Sequence, residues 1–324
     1  MAPVEAPVLE PVTPPEGKKK VGVLVCGEAA PACALMGDAD VEAIELLGWE
    51  AVRVDGQLNP QGWSDGIMSL VNQKVDVIID MVASDALVKS AVAAAFDAGI
   101  PIVCQICWNV AGPVENGSSA NVDPDMSFQG DVAAAYMISA KAGAPRVALM
   151  TNTTAPPVTA RMDAIKAQFT GCADLGCKIV FEQELGQAGD LVANSRDLTD
   201  AILQQFPEGT IDYIVPPSDS QSIGLQQALA TAGRTDVKIV SFDAGDPNLG
   251  WLREGKWQEL SVATPLVGTS WGSVDQAVRI LAGMAGANVL LPSQAFTSAN
   301  VPAKGSPAEA TDFAAAYGAA WGVK

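Results

Sequence analysis

Six cysteines are the most reactive side chains in this 324-residue chain, because histidine is absent. Its absence removes the commonest general base, the Ser-His-Asp arrangement and the commonest zinc ligand. Bond-making chemistry would fall to carboxylates, lysine or cysteine. The cysteines stand at short spacings: Cys26 and Cys33 flank a turn of small residues, Cys104 and Cys107 form CQIC, and Cys172 and Cys177 close GCADLGC. None of these spacings supplies a second metal half-site, so no metal is expected. A redox C-x-x-C normally opens a helix, whereas CQIC ends an apolar run and leads into the loop WNVAGP. Buried thiols or structural disulfides are the expectation there, and a short disulfide at Cys172 and Cys177 would suit an exported protein. Neither G-x-G-x-x-G nor G-x-x-x-x-G-K-[ST] occurs, so no nucleotide cofactor is expected. Asn116-Gly-Ser and Asn152-Thr-Thr fit the glycosylation acceptor pattern, a tripeptide common by chance.

The charge balance narrows the partners. Asp and Glu total 37 against 19 Lys and Arg, a net charge of −18, and such a surface repels phosphate backbones. Nucleic acid is therefore not an expected partner. No apolar run approaches the length of a membrane span, and the first residues lack the basic and apolar regions of an export signal. Residues 1–18, MAPVEAPVLEPVTPPEGK, are proline-rich and aperiodic, and read as an extended tether that orders only by packing on the body.

Behind the cysteines lies a repeated grammar. A fully apolar run, Val21 to Val25, reads as a buried parallel strand. A helix follows to Leu47, then strand Ala51 to Val54, a helix to Gln73, strand Val75 to Ile79, helix Asp85 to Ala98, and strand Ile100 to Cys104. Trp108 to Asp125 lacks a consistent period and reads as a crossing between domains. A second cycle runs from helix Ser127 to Ala142 through strands at Arg146 to Met150, Lys178 to Glu182, Ile211 to Val215 and Lys238 to Phe242. The late strand in WQELSVATP, helix Val267 to Ala285 and a weakly helical tail complete it. Parallel βαβ units present functional groups at the carboxyl ends of their strands. The expected fold class is α/β, with two doubly wound parallel-sheet lobes.

The order of elements resembles the type 1 periplasmic solute-binding proteins, the ribose- and galactose-binding group, which share their fold with LacI-type repressor cores. The likeness runs from about Lys20 to Phe296. It is sharpest in DYIVPPSDSQSIGLQQALATAGRTDVKIVSFDAGDPNLGWLREGKWQELSVATP, with support from ARMDAI and AGIPIVCQ. The resemblance implies two lobes joined by three crossing strands, near Asn121 to Asp125, Ser261 to Pro265 and Leu291 to Phe296, with a hinge closing on one small solute. The domains expected are the tether 1–18, a first lobe of 19–122 plus 264–291, and a second of 123–263 plus 292–324.

Carried over by position, Arg161 matches an arginine that grips ligand oxygens with its fork of donors. Asp243, after Phe242, matches a carboxylate that accepts from ligand hydroxyls. Ser218 stands where many relatives have Asn, and Asp219 is a ligand neighbour or a helix cap. The first-lobe wall expected is Glu28, Pro31, Cys33, Ile106, Cys107 and Trp108, where Glu28 either meets a cationic or hydroxyl group or faces solvent, and Trp108 either supplies an aromatic face or packs the crossing loop. The departures matter as much. Ala32 and Cys33 replace stacking aromatics, Ile106 and Cys107 replace an Asp-Arg pair, and Ala263 replaces a hinge glutamine. Most of the sugar-type hydrogen-bonding set is gone, so the expected solute is larger or less polar than a simple sugar, with a hydroxyl or anionic end at Arg161. The implied function is capture of a small molecule for the membrane permease of an ABC-type importer. The protein is then a periplasmic or extracytoplasmic monomer, compatible with a lipid anchor on a preceding segment. It has no catalytic residue and no cofactor. The rival is the effector-binding core of a LacI-type regulator, disfavoured because only the proline-rich tether precedes Val21.

Overall fold

The computed structural model describes residues 9–81, 83, 86–108, 118–153, 156–185, 189–305 and 312–323. The chain divides into two compact units. The first contains residues up to Pro124, then Pro265–Pro292 and the C-terminal residues from Ala308; the second contains Asp125–Thr264 and Ser293–Pro307.

The first unit is built on a six-stranded parallel sheet. Its strands are β1 (Lys20–Val25), β2 (Glu50–Asp55), β3 (Val77–Met81), β4 (Ile102–Gln105), β5 (Ala120–Pro124) and β11 (Asn288–Leu291), in the order β11-β5-β4-β3-β1-β2. Val21, Val23, Leu24 and Val25 are wholly buried, as an unalternating strand covered on both faces must be. One face packs Leu24, Ile78 and Ile102 against Ile67 and Leu70 of α2 (Pro60–Asn72) and Val92 of α3 (Lys89–Asp97). The other is covered by α1 (Pro31–Leu46) and α9 (Leu266–Leu281), which pack on each other. Asn59 caps α2 by accepting from the Gly62 amide at 2.9 Å, and Pro60 follows at a position where no helical donor is needed. The sheet reverses direction of growth at β1, which has β2 on one side and β3 on the other. That switch point opens a crevice at the carboxyl ends of the strands.

The second unit repeats the plan. Its strands are β6 (Arg146–Thr151), β7 (Lys178–Glu184), β8 (Tyr213–Val215), β9 (Lys238–Phe242), β10 (Gln258–Ala263) and β12 (Gln294–Phe296), in the order β12-β10-β9-β8-β6-β7. All pairs are parallel except β10 with β12. Alternate residues serve opposite cores: Val147 and Leu149 face α4 (Met126–Ala140) and α5 (Pro156–Gly171), while Ala148 and Met150 face α6 (Leu191–Gln205) and α7 (Asp219–Thr231). A short α8 (Asn248–Glu254) follows β9. Here the switch point lies at β6, between β7 and β8.

Two expectations are corrected. The aperiodic stretch before Asp125 contains β5, which is too short and too polar to show a period. The tail lies in the first unit, not the second: Tyr317 and Trp321 of α10 (Phe313–Trp321) pack their rings on Trp271 of α9, and Trp321 donates to Asp275 at 2.9 Å. An aromatic helix follows its buried partners rather than its place in the chain. The described part of the tether is ordered by packing on the body, as expected, with Val12 buried and its amide on the Ala320 carbonyl at 2.9 Å. The helix expected from Asp85 starts only at Lys89, with residues 86–88 in a turn, while Asp85 itself and the first two residues of the Asn116 tripeptide lie outside the described residues. Among the described residues no helix is long and apolar enough to cross a membrane.

Candidate functional site

The expected site residues fall into two sets, one at the strand ends of each unit. In the second unit the set centres on Arg161, one of the largest fully buried side chains of the protein. It rides on α5, which comes close to α4 because position 130 is glycine; a Cβ there would collide with the Arg161 carbonyl oxygen. The guanidinium lies over the Phe242 ring, with Cζ 4.0 Å from the ring centroid. Nη1 donates to the Pro217 carbonyl, beyond β8, at 2.6 Å. Nη2 donates to Gln129 Oε1 and, at 3.3 Å, to Thr264 Oγ1. Nε is buried and has no acceptor. Burial pulls the Arg161 pKa down to about 10, and the nearby Asp243 and Asp219 carboxylates oppose that fall.

This arrangement differs from a guanidinium wholly given to a ligand. Most of the fork is spent on protein oxygens that tie α4, α5, the β8 turn and the end of β10 together, and Nε is the donor left over. Gln129 and Thr264, which complete the cluster, escaped the sequence reading. The signal was a glutamine on the apolar face of α4, buried beside Gly130. Thr264 takes the role sought at Ala263, a buried packing residue beside Ala244, Leu249, Leu252 and Phe296.

Asp243 is half-buried and has φ 95°, a left-handed conformation that aspartate tolerates better than most residues. Its amide is held on the Val262 carbonyl at 2.9 Å, and the adjacent Ala244 amide on Ser261 Oγ at 3.0 Å. Ser218 precedes α7 with its hydroxyl on Gln221 Oε1 rather than on a helix amide. Asp219 does not cap its own helix: it accepts from Ser241, from Ser261 at 3.3 Å and from the Gly245 amide at 3.0 Å, so it braces the turn that carries Asp243. Burial, with the charge of Asp243, pushes its pKa well above the ordinary carboxylate value, against those donors.

The first unit's set is covalently pinned. Cys26 and Cys33 form one disulfide and Cys104 and Cys107 another, so two of the turns that follow strands are closed by sulfur. The third, Cys172 to Cys177, lies in the second unit between α5 and β7, at the amino ends of its strands. All six cysteines are thus paired. Pro31 starts α1 inside the first disulfide loop. Glu28 was expected to meet the solute, but Arg53 of β2 takes both of its carboxylate oxygens, at 2.6 and 2.8 Å, and also reaches Asp38. Its charge is therefore already compensated. Ile106 is buried and has φ 59°. Cys107 is wholly buried, and Trp108 is half-buried with its indole Nε1 buried and without an acceptor. Beneath these turns Asp40 of α1 accepts from Gln105 at 2.8 Å, and burial pushes its pKa up to about 8. Asn152, the second tripeptide asparagine, is buried and closed to a glycan.

Each set thus offers a buried N–H without an acceptor, one carried by an aromatic ring and one by a guanidinium beside a carboxylate. Among the described residues no group of histidine, cysteine and carboxylate side chains could hold a metal ion.

Comparison with known structures supplies the fold's relatives. A myo-inositol binding protein from Caulobacter, bound to myo-inositol, superposes with a TM-score of 0.79 at 20% identity, over 90% of this chain and 97% of that one. An ABC transporter solute binding protein from Agrobacterium vitis with bound allitol gives 0.77 at 20% identity, over 88% of this chain and 97% of that one. An ABC sugar transporter subunit from Rhodobacter sphaeroides gives 0.74 at 21% identity, over 87% and 99%. No curated protein matches the chain by sequence. The model of one family, described as a periplasmic binding protein domain, matches residues 21–285, which is most of the chain. The chain therefore belongs to the periplasmic binding protein family, with the two parallel-sheet units that its strand order repeats.

Proposed function

We propose that this protein captures a small hydroxyl-bearing solute outside the cytoplasm and hands it, as a monomer, to the membrane permease of an ABC-type importer. The observation that carries this reading is the Arg161 cluster: a buried guanidinium whose Nε has no acceptor, over the Phe242 ring and close to the Asp243 carboxylate. A solute hydroxyl can accept from Nε and donate to Asp243 together, a pairing that neither an anion nor a hydrocarbon can make. Relatives of the same fold that hold myo-inositol and allitol support the same solute class.

In the first-unit set Pro31 is exposed and Trp108 half-buried, while the Cys26–Cys33 bridge, Ile106 and Cys107 are buried apolar groups beneath them. The solute proposed has one hydroxylated end for Arg161 and Asp243 and, because most of the sugar-type hydrogen-bonding residues are replaced in this sequence, a less polar body. Ser218 is a neighbour rather than a primary contact, since its hydroxyl is engaged by Gln221. Three short-range disulfides accord with an oxidising compartment.

A thermal-shift screen over polyols, sugars, aromatic acids and nucleosides tests the solute class. Polyols or sugars should raise Tm, and Asp243→Asn, which keeps the size and tolerates the left-handed backbone, should abolish the shift without lowering the parent Tm. Stabilisation by nucleosides alone, or full binding by Asp243→Asn, would overturn the assignment.

A further inference from the structure

We propose that the Cys104–Cys107 disulfide is a positioning device that points the Trp108 indole N–H at the solute, making Trp108 a hydrogen-bond donor to one of its oxygens. The inference rests on the solute-capture reading above and assigns a specificity residue within it.

Three observations converge on this loop. The first is the orphaned donor: Trp108 Nε1 is buried with no acceptor, and native proteins seldom leave a buried N–H unsatisfied. The second is the backbone. Ile106 has φ 59°, a region that β-branched residues avoid because Cβ crowds the following carbonyl, so surrounding contacts must impose it. The disulfide joins the residues two before and one after Ile106 into a closed ring, and Cys104 is itself fixed in register between Asp80 and Asn121. The third is the far side of the ring. Ile106 N–H donates to the Val122 carbonyl at 3.1 Å, and the Cys107 and Trp108 amides share Asp123 Oδ1 at 2.7 and 3.3 Å. The chain leaves β4, makes one left-handed step and is pinned before it reaches the indole.

A thiol-exchange role does not fit, since both sulfurs are wholly buried and an attacking thiolate needs access. Stability alone does not account for the loop's place either. The Cys172–Cys177 bridge is as local, yet it sits at the amino ends of its sheet, where no candidate residue stands. At the end of β4 the same device immediately precedes an unpaired donor. The ligand chemistry implied is an acceptor oxygen, hydroxyl or ether, approaching the edge of the indole rather than its face.

The test compares the parent with Trp108→Phe, which keeps a ring but removes the N–H, and with Cys104→Ser/Cys107→Ser. Probes are myo-inositol and allitol, titrated calorimetrically, and the unliganded proteins are followed by the indole ¹H–¹⁵N resonances. Both variants should bind the probes about tenfold more weakly. The Trp108 resonance, assigned by its loss in Trp108→Phe, should shift and exchange faster with water in the double variant, with the other indoles unmoved. Parent-like affinity in Trp108→Phe would overturn the donor role, and an unmoved Trp108 resonance would overturn the positioning role. If neither probe binds the parent, the polyol reading fails and the donor role to such solutes with it, while the indole resonance still decides the positioning role. Should the serine pair misfold, Cys104→Ala/Cys107→Val refills the buried sites with apolar groups and carries the same readout.

Discussion

The two units share a strand order, yet they hold their strand-end residues by opposite means. The second keeps a buried charge: Arg161 stays wholly inside, with Pro217, Gln129 and Thr264 accepting from it and Phe242 beneath it. The first closes its turns with disulfides, its surface carboxylate Glu28 is matched by Arg53, and one of its buried acids, Asp40, is shifted toward the protonated form. A covalent clamp needs no particular environment, whereas a buried ion holds its place only while every partner is present. The difference predicts that the second unit is brittle toward single substitutions at its centre and the first tolerant of them.

The largest effect should come from Arg161→Ala. It would leave the Pro217 carbonyl and Gln129 Oε1 without a donor and the Asp219 and Asp243 charges without compensation. Removing one partner of a buried ionic cluster typically costs about 3–5 kcal/mol. Chemical denaturation should show that loss in the transition of the second unit. If Arg161→Ala unfolds like the parent and loses only solute affinity, the guanidinium is chiefly a ligand group and the contrast between the units disappears.

How far these sets were legible in the sequence follows from the same contrast. Strands such as Val21 to Val25 announced themselves because both faces are buried, and the parallel order followed from strands alternating with helices. β5 did not, since ANVDP carries polar side chains into the interior. Arg161 and Asp243 were visible as residue types at matching positions, but the share of the guanidinium already spent was not. It depends on Gln129 and Thr264, which lie 32 and 103 positions away in the chain. The pairing of Glu28 was hidden for the same reason, because its partner Arg53 lies on the next strand and carries no local mark. The cysteine pairings, by contrast, are local: each bridge spans seven residues or fewer, so proximity in the chain already favoured it.

A smaller, pH-dependent effect sharpens the comparison from the first unit. Gln105 Nε2 donates to Asp40 Oδ1, while Asp40 Oδ2 and Gln105 Oε1 are both buried without partners. One proton on Asp40 pairs both orphans, giving an acid–amide pair with two hydrogen bonds. Burial raises the folded pKa to about 8, above the unfolded value, so the folded state holds a proton that the unfolded chain releases. Stability from this group is therefore complete below the ordinary aspartate range and declines as pH rises, by at most about 1.4 kcal/mol per pH unit, until about pH 8. Asp40→Asn supplies a permanent N–H donor in place of the proton. Its Tm should be flatter than the parent's between pH 5 and 8 and higher at the upper end. Parallel curves would mean that Asp40 is ionised in the folded protein and that the first unit, like the second, keeps a buried charge at its strand ends.

The smallest effect is expected at Glu28→Gln. Arg53 takes both carboxylate oxygens, yet the pair is part-exposed, with Arg53 at 26% and Glu28 at 38% side-chain accessibility. Pairs of that kind contribute about 0.2–1 kcal/mol, and Arg53 keeps Asp38 as a second partner. The Cys26–Cys33 bridge holds the turn regardless. Solute affinity should change less than about twofold, and Tm should fall by about a degree, more at low salt than at high salt because the charges are screened. A large loss of affinity with unchanged Tm would return Glu28 to the solute. The first unit would then carry a working charge at its strand ends, and its turns would be positioned for polar recognition much as those of the second unit are.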